Sequence, residues 1–152
     1  MTKPRYCSRA YCALNISLMS DCIFCKIVAG ETPSHKIYED DNYFAFLDIF
    51  PASRGHTLVI PKSHHVDIHS MPADVYGGLA AVAKRVADLL MAKLSSEGTT
   101  IFQMNREVGW QTVFHAHMHV IPRWSNDGLH KPWDIAPADQ AELVELRKLL
   151  TE

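Results

Sequence analysis

Three histidines alternate with apolar residues in the run His115, Ala116, His117, Met118, His119, Val120. Alternate side chains of a β-strand leave the same face about 6.6 Å apart. This spacing therefore shows three imidazoles on one side and packs Ala116, Met118 and Val120 on the other. Imidazoles so arrayed support two chemistries. They can converge on one metal, which with a further ligand and a water makes a hydrolytic centre. Alternatively, one neutral ring can attack phosphorus itself and form a covalent nucleotidyl-histidine that water cleaves. The second chemistry needs donors around the phosphate oxygens and a group that orients the attacking ring. A merely His-rich surface strand is the blander alternative, and the core-ready opposite face speaks against it. Cys22 and Cys25 have the spacing of half a zinc site, which requires two further ligands.

The elements that must carry these residues follow from patterning. The chain has 152 residues, 47% of them hydrophobic and 21% charged, which fits one domain with one core. With 15 Lys and Arg against 17 Asp and Glu, it lacks the positive field that nucleic-acid or membrane-surface binding needs. No run reaches the length of a membrane span. Cys22 to Ala29 reads as a short helix or turn ended by Gly30. Lys36 to Glu39 and Tyr43 to Ile49 flank turn formers and read as a hairpin. His56 to Ile60 is a strand closed by Pro61, and Thr99 to Asn105 and Phe114 to Pro122 are two more. Between them, Val75, Leu79, Val82, Val86, Leu89 and Leu90 recur at helical steps behind Pro72, which predicts an amphipathic helix of about six turns. Pro137 opens a C-terminal helix with Ala141, Val144, Leu146 and Leu149 or Leu150 on its apolar face. Strands and helices without regular βαβ alternation predict an α+β fold on a mostly antiparallel sheet. The glycines form neither a dinucleotide fingerprint nor a P-loop.

The chain resembles the histidine triad (HIT) proteins. The resemblance rests on the triad strand, on CIFCK from Cys22 to Lys26, on FAFLDIFPASRGHTLVIPKSH from Phe44 to His64 and on the run from Asn105 to Arg123. These blocks stand in family order over roughly residues 19–133, closest to the bacterial Hint-like branch. The resemblance implies an antiparallel five-stranded sheet with a long helix and a C-terminal helix, in a homodimer. It implies cleavage at the α-phosphate of a purine nucleotide, either a phosphoramidate or a dinucleoside polyphosphate. His117 would be the nucleophile, with His119, His56 and Gln111 around it. Asn105 and Thr112 would contact phosphate or leaving group, and Asp48 the ribose hydroxyls. Phe24, Ile27, Phe46 and Ile49 would line the base pocket. Cys22, Cys25, His64 and His115 would hold a structural zinc, with His65 competing for the place of His64. Such a zinc would fix His115 and the backbone beside the nucleophile. No organic cofactor is implied. A metal-dependent hydrolase with the triad as ligands and a nucleotide-binding sensor without turnover are the alternative functions.

Two features depart from that pattern. Arg106 and Trp110 stand where the family commonly has glycine, which restricts the backbone and fills space. Arg106 is either a contact for a distal phosphate or a solvated charge, and Trp110 can stack on a leaving group. The first 18 residues show no sustained periodicity and read as a disordered extension before a domain spanning 19–152, with Met19 as an alternative start. All four cysteines fall within the first 25 residues, unlike a secreted disulfide framework, which predicts a reducing, cytoplasmic setting.

Overall fold

The computed structural model describes residues 21–131, 133 and 135–151. The expected extension, residues 1–18, lies outside the described residues. Five strands form one antiparallel sheet, β1 (Lys36–Glu39), β2 (Tyr43–Leu47), β3 (Thr57–Pro61), β4 (Gly98–Phe102) and β5 (Met118–Arg123), in the order β1-β2-β3-β5-β4. The helices are α1 (Ile23–Val28), α2 (Ala73–Leu94) and α3 (Gln140–Thr151). The α+β class expected from the sequence is the one found.

The period-2 pattern sorts side chains onto two buried faces. Ala45, Val59, Met118 and Val120 point to one side, where Leu79, Val82, Ala83, Val86 and Leu90 of α2 cover them. Phe44, Phe46, Leu58 and Ile60 point to the other, under Phe24 and Ile27 of α1. In register, Phe46 faces Leu58 and Phe44 faces Ile60, so the aromatic and branched pairs that favour sheet formation line one layer. Gly30 lets α1 stop. At φ +77° it turns the chain through the left-handed region, where a Cβ is costly, and Glu31 and Thr32 N–H then donate to the Lys26 carbonyl. At the far end of the sheet, Gly78 of α2 lies against Tyr43, whose hydroxyl donates to Val75 O at 2.9 Å.

Three expectations need correction. The triad strand begins at Met118, so His115 and His117 lie in a lead-in that bends at 113–115, where His115 N–H donates to Val113 O at 2.8 Å, rather than in the ladder. Its alternation survives because Ala116 still enters the α2-side core. Leu89, expected on the buried stripe of α2, is largely exposed. The C-terminal helix forms, but its apolar face packs on nothing among the described residues, and every residue described in it is exposed.

Candidate active site and metal cluster

The α1-facing side of the sheet gathers the chemistry. β5 delivers His119, the lead-in delivers His117 and His115, and the turn before β3 delivers His56. All four are buried, the triad at 7% exposure or less. The His117 and His119 ring centroids are 4.9 Å apart and those of His56 and His119 5.1 Å apart. The Phe24 edge meets His117 at 5.2 Å and 88°.

Hydrogen-bond partners assign the protons. A backbone carbonyl only accepts and a backbone N–H only donates. His117 Nδ1 lies 2.7 Å from His115 O, so it carries the proton and Nε2 carries a free lone pair. His56 Nδ1 accepts from Ala52 N–H at 3.1 Å, so in the neutral ring Nε2 carries the proton and donates to His119 Nδ1 at 2.9 Å. His119 must then be protonated on Nε2. That atom is buried and has no partner among the described residues. An attacking lone pair on one ring thus stands beside an unspent donor on the next.

Burial disfavours the imidazolium form of each ring. Burial dominates the lowering of His117 below its ordinary value, against the His115 carbonyl and Asp48, which raise it. Burial, then the neighbouring His117 and His56, bring His119 down to about 4. His56 is also lowered by burial, although Asp48 lies 3.5 Å from its Nδ1 and pulls the other way.

A second cluster shares the triad. Cys22 Sγ and Cys25 Sγ lie 3.5 and 3.6 Å from His115 Nδ1, and Cys25 Sγ lies 3.3 Å from His64 Nδ1. His115 Nε2–H donates to Pro61 O at 2.9 Å, which leaves Nδ1 free to bind. In a tetrahedral zinc site, bonds of about 2.3 Å to sulfur and 2.0–2.1 Å to nitrogen place S and N about 3.6 Å apart, so this donor set fits that ion. Burial and neighbouring Cys22 push the Cys25 thiol up to about 12. His65, the expected competitor for His64, instead bonds Ser63 Oγ.

The remaining expected residues divide. Asp48 stands beside His56, and its Oδ1 accepts Phe50 N–H at 2.9 Å. Phe24, Ile27 and Phe46 are packed into the core layer beneath the histidines, whereas Ile49 is 73% exposed. Asn105 Oδ1 accepts Ile68 N–H at 2.8 Å, and Thr112 is exposed. Gln111 is fully engaged with backbone. Its amide donates to Val66 O and Val113 O, and its oxygen accepts Arg106 N–H at 2.6 Å. Arg106 takes a backbone nearly reserved for glycine, φ 63° and ψ 164°, while its Nε bonds Asp67 at 3.1 Å. Trp110 is also left-handed at φ 69° and pairs with Trp133, ring centroids 6.0 Å apart.

Sequence reasoning missed two contributors. Phe102 stacks on His119 at 4.8 Å and 20°, because β4 and β5 put the two residues in register. Ala52 contributes only its N–H, which no residue type advertises.

Comparison with known proteins places this geometry. The HIT domain family model matches residues 29–126. The chain belongs to the HIT family. Among solved structures, the SMU.412c protein of Streptococcus mutans superposes with a TM-score of 0.82 at 41% identity, covering 86% of this chain and 83% of that one. A zinc-bound histidine triad family protein from Mycobacterium smegmatis gives 0.72 at 39% identity, covering 86% of this HIT chain and 99% of its own. An adenosine 5'-monophosphoramidase of Candida albicans is 35% identical over 138 residues, 88% of this chain and 91% of that protein.

Proposed function

We propose that this HIT protein cleaves a bond at the α-phosphate of a purine nucleotide, a phosphoramidate or dinucleoside polyphosphate, through a covalent intermediate on His117. The observation that carries this reading is the proton arrangement, a bare His117 Nε2 beside the unpartnered Nε2–H of buried His119. Nε2 of His117 attacks phosphorus, the bond to the amine or second nucleotide breaks, and water later releases the mononucleotide. His119 Nε2–H steadies a phosphate oxygen as charge builds there. His56 keeps that proton in place by donating to His119 Nδ1. Asp48 accepts from the ribose hydroxyls, and Phe24, Ile27 and Phe46 floor the base site, with exposed Ile49 at its rim. Asn105 and Thr112 face the phosphate or leaving group, and Gln111 serves by bracing the loop that bears them.

Cys22, Cys25, His64 and His115 would hold zinc in a closed four-ligand set, which supplies structure and leaves no open position for substrate. The phosphoramidase activity named for the Candida relative supports a nucleotide amide as substrate. A second copy of the chain is the proposed partner, supported by exposed Ile101 and Phe102 on edge strand β4. No helix among the described residues is long and apolar enough to cross a membrane; a cytoplasmic setting is proposed from the cysteine distribution.

One specific observation favours a second reading. Donor atoms of Asp48, His56 and His119 lie within 4.8 Å of one another, so they can share a hydrolytic metal. Rapid quench and mass spectrometry separate the two. Covalent catalysis leaves a nucleotide on His117, and His117→Ala abolishes turnover while nucleotide still binds. A metal hydrolase leaves no adduct, a sensor shows binding without turnover, and either result overturns the proposal.

A further inference from the structure

We infer that Phe102 is a positioning residue whose ring, lying flat on His119, keeps the His119 Nε2–H dry, in plane and free for the phosphate. This deepens the proposed function and rests on its reading of His119 as the donor beside a His117 nucleophile.

Sheet register makes the two rings meet. One rung runs Phe46, Leu58, His119, Phe102 across β2, β3, β5 and β4, and directly opposed residues of antiparallel strands share a face. His119 therefore stands between Leu58 and Phe102, with the His56 Nε2–H on its Nδ1 at 2.9 Å. Leu58 is buried in the α1-side layer, where core packing accounts for it. Phe102 is different. It is 39% exposed and ends edge strand β4, so core burial does not set the angle of its ring.

That angle decides what becomes of the donor. The Phe102 and His119 rings are 20° from parallel with centroids 4.8 Å apart, whereas Phe24 meets His117 at 88° and His64 meets His115 at 89°. A ring N–H lies in the plane of its imidazole. A perpendicular neighbour can take such an N–H into its π face and engage it weakly. A parallel phenyl offers the N–H nothing. It also covers the imidazole face on the β4 side, and Nε2 is buried without a partner among the described residues. A water bound to Nε2–H would have to be displaced before a phosphate oxygen took its place. His56 holds only one edge of the ring, and His117 on the active-site side is tilted by 56°. Phe102 is thus the flat wall that stops the imidazole from tipping. The base and ribose meet other residues in the proposed function, so loss of this wall falls on the chemical step.

The test compares the full chain with Phe102→Leu and Phe102→Met, which keep apolar bulk without a plane, and with Phe102→Tyr, which keeps the plane. Three quantities are read: exchange of the His119 Nε2–H with water by ¹⁵N NMR of the ring, the rate of adduct formation in a single turnover, and adenosine affinity. Both non-planar variants should speed the exchange and slow adduct formation about two- to ten-fold, the worth of an aromatic pair. Adenosine affinity and fold should hold in both, and Phe102→Tyr should recover the exchange and the rate. Wild-type exchange or rate in both non-planar variants overturns the inference, as does a loss in Phe102→Tyr as large as theirs. A fall in adenosine affinity that matches the fall in rate overturns it, and so does unfolding of both non-planar variants, since the ring then serves the whole fold. A rate restored by raising the protein concentration also overturns it, because Phe102 then acts by joining two copies. Absence of adduct in the wild type sinks the nucleophile reading instead, and the exchange comparison still decides whether Phe102 shields the donor.

Discussion

Replacing His119 with glutamine should flatten the acid limb of the stability profile. Burial, reinforced by His117 and His56, holds the ring at about 4 against an ordinary 6.5. Between those values the unfolded chain binds a proton that the folded protein refuses, so folding loses stability as pH falls. The contribution is complete above about 6.5 and spent below about 4. At about 1.4 kcal/mol per pKa unit, the gap is worth about 3 kcal/mol. Urea unfolding of both proteins from about pH 7.5 to about pH 4 reads the difference. Glutamine keeps an acceptor for His56 Nε2–H but cannot titrate. The other histidines and the thiol cluster contribute to both curves and largely cancel on subtraction. The wild type should therefore lose about 3 kcal/mol more than His119→Gln across this range. Parallel curves would refute the claim that the folded site excludes the charged ring.

Three other outcomes follow from the same structure. Turnover should persist below the ordinary imidazole value of about 6.5 before it falls, because burial lowers His117; a pH–rate profile with its acid limb above that value contradicts this. Gly78→Ala puts a Cβ onto the Tyr43 hydroxyl and 2.6 Å from its Cζ, displacing the bond to Val75 O. Overpacking outweighs the helix-propensity gain, and denaturant titration should show a net loss of about 2 kcal/mol. Gln111→Ala strands Arg106 N–H and Val66 O, whereas Val113 O keeps the His115 N–H; the loss should be about 2 kcal/mol in the same assay, with a much smaller change at exposed Thr112→Ala.

The sheet, the long helix and the one-sided display of the triad were legible in periodicity, whereas His56 was placed beside them only by the family resemblance. Alternation follows from which side chains can share a buried face; the fold keeps it over Phe44–Phe46 and Ala116–Val120, but β2 ends at Leu47 and leaves Ile49 exposed. The place where β5 starts was not legible, because His115 and His117 have the same alternation outside the ladder as inside it. Gln111 reads in sequence as a reactive polar group, yet its partners are carbonyls and an N–H on segments up to 45 residues away. Arg106 at a glycine-like φ is equally hidden, since Asp67 and Gln111 hold it there only after the loop has closed. The exposed face of α3 shows the opposite failure. Its periodicity forms a helix, but periodicity does not say what the helix rests on.

The order β1-β2-β3-β5-β4 puts β5 between two paired neighbours. Amides around His119 can thus exchange with solvent only when the sheet itself comes apart. His119 shares the protection of that central ladder, whereas His117 and His115 stand just before it. Sequence change is then more readily accommodated in the 103–114 segment than in β5, where one changed register would turn His119 to the wrong layer.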